Sequence, residues 1–241
     1  MARLQGRLRW FVLAATVLGL MVGAARRARA DTMLTLYNTG VGADGTLLPD
    51  GTIGDPHYTL ISTPDGSTTQ LLIRTEAGGY PVVPYYVGDD NLSAWIGPNN
   101  NDPEGVPGQL YGPRGIYIYT TYFDLSGLDP STASIRGLWS TDNVGLDILI
   151  NGVSTGVGSG YSDYWATLQI SSGFIQGINT LEFIVYNDSG PTALRVEMTG
   201  TADPLTAVPE PSTVAMIATG LPLGLGFWWR LRRRAGAGSM V

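Results

Sequence analysis

The sequence predicts an all-β fold, an antiparallel β-sandwich flanked by an N-terminal signal helix and a C-terminal transmembrane helix. Three observations carry that expectation. The 241 residues include 33 Gly, 15 Pro and 12 Tyr, a composition poor for helices. Short runs rich in Val, Ile, Tyr and Thr alternate apolar and polar residues with a period of two, as half-buried antiparallel strands do. Clusters of Gly, Pro, Asn and Asp with turn chemistry separate those runs, and no stretch between them sustains a helical period.

The elements follow in chain order. Residues 1–30 have the parts of a secretory signal: Arg3, Arg7 and Arg9, an uncharged apolar run over 10–25, and Ala28-Arg29-Ala30 before a cleavage site at Asp31. Strands are predicted over 33–37 and 58–62, then over 70–75 after the Pro64-Asp65-Gly66 turn. The stretch 77–113 reads as loop-rich. A dense set follows: 115–124, 134–140, 145–151, 166–170, 180–186 and 193–199. Alternation assigns Leu146, Ile148 and Ile150 to one face, then Leu181, Phe183 and Val185, then Leu194, Val196 and Met198. One ectodomain over 31–202 is expected, then a Pro-rich linker over 203–212. Residues 213–229 are uncharged and mostly apolar, ~25 Å long as a helix and so marginal for a bilayer of ~30 Å. The tail 230–241 opens with Arg230, Arg232, Arg233 and Arg234, which the positive-inside rule keeps cytoplasmic.

Charge narrows the function classes. All 14 basic residues are Arg, and ten of them lie in residues 1–30 and 230–234. Between residues 31 and 208 four Arg stand against 19 acids, a net charge of −15. Nucleic-acid binding needs Lys and Arg to replace phosphate counterions, so no such partner is expected. The absence of Cys excludes disulfides, thiolate metal sites and a Cys nucleophile, and the single His57 excludes multi-His metal sites.

Pro209-Glu210-Pro211, the apolar span and the Arg cluster stand in order at a chain end, behind a signal peptide. Together they resemble the PEP-CTERM sorting signal. The resemblance implies a Gram-negative, exopolysaccharide-making host, processing by the membrane protease-transpeptidase exosortase, and a span that anchors the chain in the inner membrane only in transit. The extra residues 235–241 depart from that pattern. The ectodomain quotes a second likeness: Asp55-Pro56-His57-Tyr58, Trp95-Ile96-Gly97-Pro98, Thr121-Tyr122-Phe123-Asp124-Leu125, Thr141-Asp142-Asn143, Asn151-Gly152, Gly177-Ile178-Asn179-Thr180-Leu181 and Thr192-Ala193-Leu194-Arg195-Val196. It is similar to a recurrent ectodomain of PEP-CTERM proteins. Its second half is similar to the galactose-binding-like jelly rolls that accompany glycoside hydrolases. That likeness implies a jelly-roll sandwich, a hairpin at Asn151-Gly152 and one structural calcium. Asp142/Asp147, Asp50/Asp55 and Asp102/Glu104 are the candidate ligand pairs, none with EF-hand spacing. No other cofactor is expected.

No catalytic set stands out. Gly40-Val41-Gly42-Ala43-Asp44-Gly45 matches a dinucleotide fingerprint, but no helix pattern follows it. Gly152-Val153-Ser154-Thr155-Gly156 matches a nucleophile elbow, but a second glycine run follows and the one His lies upstream. His57, beside a strand start, reads as structural. Aromatic residues in loop context point to a sugar ligand, because a ring face stacks on the C–H face of a pyranose. Tyr161, Asp163, Tyr164 and Trp165 are the preferred group. The leading expectation is a non-enzymatic, exported surface or matrix protein acting in the exopolysaccharide layer. A carbohydrate-binding protein with a defined sugar site is the alternative, and a two-carboxylate polysaccharide hydrolase a further one.

Overall fold

Strand-forming sequence here is cut into short lengths by turn residues. A computed structural model describes residues 31–67, 70–99, 110–161 and 164–205. These hold β1 (Thr32–Met33), β2 (Thr59–Ser62), β3 (Leu71–Arg74), β4 (Trp95–Pro98), β5 (Gly115–Asp124) and β6 (Ser134–Asp142). They continue with β7 (Val144–Ile150), β8 (Val153–Ser154), β9 (Gly160–Tyr161), β10 (Ala166–Ile170), β11 (Ile178–Asn187) and β12 (Ala193–Ala202). Sheet I runs β10-β6-β12-β4-β3, with β1 beside the end of β12. Sheet II runs β2-β5-β11-β7-β8, with β9 on β7. All pairings are antiparallel.

The two sheets close on one core. Tyr117, Tyr119 and Phe123 of β5 meet Leu181, Phe183 and Val185 of β11 on the inner face of sheet II. Ile135 and Trp139 of β6 meet Leu194 and Val196 of β12 on the inner face of sheet I. Each such side chain contributes roughly 1.5–3 kcal/mol of burial. The period-two reading of 180–186 and 193–199 therefore selects the correct inward faces. In 145–151 it fails at Leu146, which is exposed. β7 pairs Gly145 with Val185 and Asp147 with Ile184, so Leu146 is the extra residue of a bulge.

Other differences have local causes. The stretch 77–113 contains β4, which pairs residue for residue with β3 but with β12 only at Leu194↔Ile96. Gly97 lets the next segment cross closely: a Cβ there would stand 2.6 Å from the Thr192 carbonyl oxygen. The strand predicted at 33–37 is reduced to Thr32–Met33, although Leu34 N–H still donates to Gly200 O. The Asn151-Gly152 hairpin forms as expected. Both residues have positive φ (52° and 78°), the twist a two-residue connection between β7 and β8 requires. The apolar runs 10–25 and 213–229 lie outside the described residues, among which no helix is long and apolar enough to cross a membrane.

One buried side chain pins the turn that launches β11. Asn179 accepts at Oδ1 from Asn151 Nδ2 (2.9 Å) and Ile175 N–H (2.8 Å), and donates from Nδ2 to Ile175 O and Gly177 O (both 2.8 Å). Asn179→Leu keeps the bulk but orphans these groups. It should cost ~2–4 kcal/mol in urea unfolding, and a loss below ~1 kcal/mol would contradict this role.

Candidate functional site

The outer face of sheet I is not bare. Residues 75–94, between β3 and β4, fold over it and build a second small core. Tyr80, Tyr86 and Val87 pack there on Leu72, Trp95, Leu110 and Ala193. Trp95 stands edge-on to Tyr80 and Tyr86, and its indole N–H donates to Val87 O at 2.9 Å. Two charged side chains that alternation points outward, Arg195 of β12 and Asp142 of β6, are thereby buried.

Arg195 lies at the centre of this face and its side chain is fully buried. Nε donates to Ser93 Oγ (2.7 Å), and one terminal nitrogen donates to Gly88 O (2.6 Å). The other stands 2.9 Å from Asp90 and 3.7 Å from Glu197. Ser93 in turn donates to Glu197 Oε1 at 2.8 Å. Burial alone would raise Asp90, but the Leu92 N–H and the guanidinium outweigh it and hold this carboxylate below its ordinary range. Burial pushes Glu197 up, and the adjoining Asp90 adds to the rise against the Ser93 hydroxyl. The two carboxyls thus face the same guanidinium nitrogen.

The guanidinium also carries an aromatic ring. Its central carbon lies 5.1 Å from the centroid of Trp165, which precedes β10 and is half-buried. A cation held this way fixes the ring on one side. Next to it Tyr164 is 74% exposed.

Asp142 ends β6 and is buried among donors. Tyr80 OH donates to Oδ2 at 3.1 Å, and Asn143 Nδ2 donates to Oδ1 at 2.8 Å. Burial pushes its carboxyl up to about 7; Tyr80 and Tyr86 pull it back, and the negative charge of Asp188 adds to the rise.

No protein-family model matches this chain, and no curated protein does. Two solved structures have a distant likeness to it. The CBM35 module from Paenibacillus barcinonensis is 16% identical over 65% of this chain and 98% of its own, with a TM-score of 0.32. The CBM36-1 domain of a multidomain xylanase from the hindgut metagenome of Trinervitermes trinervoides is 24% identical over 46% of this chain and 86% of its own, with a TM-score of 0.26. Likeness at this level assigns no residue a role.

The preferred aromatic group is distributed as follows. Tyr164 and Trp165 sit together at the start of β10. Tyr161 closes β9, opposite Val144, and Asp163 lies outside the described residues. So do Pro209, Glu210, Pro211 and the four tail arginines. Asp142 and Asp147 have separate partners: Asp147 Oδ1 accepts from Ile148 N–H (2.8 Å) and Gly156 N–H (3.0 Å) on the β7–β8 hairpin. Asp50 pairs with Arg74 at 3.0 Å, whereas Asp55 accepts from Gly40, His57 and Tyr58 N–H groups. Asp102 and Glu104 lie outside the described residues. Among the described residues no three His, Asp or Glu side chains gather in one place.

His57 is structural, its ring stacked 3.4 Å from Tyr37 and its Nε2 bonded to Gly42 O. The glycines at 40–45 form a turn, with Gly42 N–H donating to Thr46 O. Ser154 accepts from the Gly156 N–H within its own turn. Sequence reasoning left out Arg195, Asp90 and Glu197. The available signal was Arg195 two residues from Glu197 on the outward side of one strand, the only Arg of β12 within a segment of charge −15.

Proposed function

We propose that this is an exported, exosortase-sorted surface protein whose β-sandwich binds glycan without cleaving it. The export half rests on the sequence: a signal peptide, Pro209-Glu210-Pro211, an apolar span and an Arg cluster in order. The observation that carries the binding half is the Arg195-backed Trp165 beside the exposed Tyr164. An aromatic ring already held from one side presents its remaining face and edge to a pyranose with little loss of side-chain freedom. Asp90 and Glu197 at the same place supply acceptors for sugar hydroxyls. Both carboxylates are engaged by the Arg195 guanidinium, and Glu197 by Ser93 as well, which favours binding over hydrolysis.

The test is retention of the purified full chain, in detergent, on the host's exopolysaccharide. Wild type should be retained at moderate salt, because a domain of charge −15 does not adhere to an acidic polymer by charge. Tyr164→Ala with Trp165→Ala should weaken retention at least tenfold. Unchanged retention would remove this site; no retention of wild type would remove glycan binding and leave a scaffold role in the matrix. Mass spectrometry of the surface form tests sorting: loss of residues 213–241 is expected, and their presence would refute processing.

A further inference from the structure

A sheet edge is a row of unpaired N–H and C=O groups that invites another strand, and natural sandwiches blunt it with short strands, bulges, Pro, charge or a covering segment. The described edges of this protein are blunted, with one exception. In sheet I the edge of β3 is covered: Gly51 N–H donates to Ile73 O, Ile73 N–H to Thr52 O, and Gly54 N–H to Leu71 O. In sheet II, β2 has four residues and a register shift, and β8 has two. Strand β10 pairs with β6 on one side only. Among the described residues no backbone group meets its other side. It has no Pro, no charge and no bulge, and Thr167 and Gln169 are exposed.

We infer that β10 is a pairing edge for a second copy of this chain, forming a two-fold antiparallel junction that joins sheet I of both copies. The sequence is self-complementary about Leu168. Placing Leu168 opposite its counterpart sets Ala166 against Ile170 and Thr167 against Gln169, apolar to apolar on the inner side and polar to polar on the outer. A one-residue slip would destroy both matches. Such an isologous contact closes as a dimer. Charge agrees with this occupant. The stretch 31–208 carries −15, yet 166–172 has no charged residue, so two copies can meet there without opposing acids. The same register brings the exposed Tyr164 against Ser172 of the second copy. The contact is small beside the ~800 Å² per partner of a standard interface, so association in the micromolar to millimolar range is expected.

The proposal gives the glycan reading a geometry. The six residue steps from Trp165 to Ser171 set the two Trp165 platforms ~20 Å apart along the junction, at ~3.4 Å per residue. Two platforms on one polymer bind with avidity that neither has alone. Only this consequence rests on the glycan reading; the pairing itself does not.

Sedimentation of the full chain in one detergent, from about 5 to 500 µM, tests the junction apart from any glycan. Wild type should shift from monomer to dimer. Thr167→Lys with Gln169→Lys sets Lys opposite Lys twice and should weaken the dimer at least tenfold. Thr167→Lys with Gln169→Glu sets opposite charges across the same pairs and should restore it. Both positions are exposed, so the fold is not at stake, and added Lys lowers the overall negative charge. A wild type monomeric throughout, or a dimer indifferent to both variants, would overturn the proposal.

Discussion

Stability should fall as the pH rises from about 4 through 7, by up to ~4 kcal/mol, and Asp142→Asn should remove most of that slope. The native carboxyl titrates near 7 because it is buried, whereas its ordinary value is 3.8. The folded chain therefore binds more protons than the unfolded chain between these values. The Asp142 contribution is fully present below ~4 and is lost as the pH climbs through the native value. About three pH units at ~1.4 kcal/mol each set the ceiling. Opening of residues 75–94 would hydrate the carboxylate and hold the loss below it. Asp55, Asp89 and Glu197, all raised first by burial, add in the same direction. Asp44, Asp65, Asp124 and Asp129, held low by neighbouring hydroxyls and backbone N–H groups, act oppositely and only in acid. Urea midpoints at pH 5, 6, 7 and 8 measure the effect. A flat wild-type profile, or an equal slope in Asp142→Asn, would refute it.

Arg195→Met should destabilise the protein by ~3–5 kcal/mol. The substitution removes the cation but leaves Asp90, Glu197, Ser93 and the Gly88 carbonyl facing an apolar side chain. Breaking one side of a buried pair is costly because the other charge stays. Adding Glu197→Gln should therefore recover part of the loss, since it removes the carboxylate with the deepest burial of the pair. Trp165 loses its backing in both variants and its emission should shift to the red. A single-variant loss under ~1 kcal/mol would show that the network contributes little.

The inward faces of β11 and β12 were legible in the sequence because period-two alternation survives wherever a strand has one wet side. Leu146 was misread because a bulge is a property of two strands, and one strand's pattern does not contain its partner's spacing. Strand β4 was hidden for a related reason. Trp95 and Ile96 are apolar on both faces because a loop, not solvent, covers the outer one. That covering also explains the partial view of the site. Tyr164 and Trp165 stood out as aromatic residues in turn-like sequence. Their support comes from Arg195, 30 positions away, and from Asp90 and Ser93 more than a hundred from that arginine. Contacts of such separation exist only once the loop has folded over the sheet.

The placement of Arg195 on β12 has a mechanical consequence. β12 ends at Ala202, and the chain leads from it toward the Pro-rich stretch. A tug at residue 203 that is resisted at Trp165 travels along this single strand. β12 is gripped by β6 through nine consecutive cross-strand pairs, Ala193↔Asp142 to Thr201↔Ser134. Force along the strand axis stretches these pairs in parallel, whereas force across it would break them one after another. Load applied between residue 203 and that ring would therefore meet β12 in its strong direction.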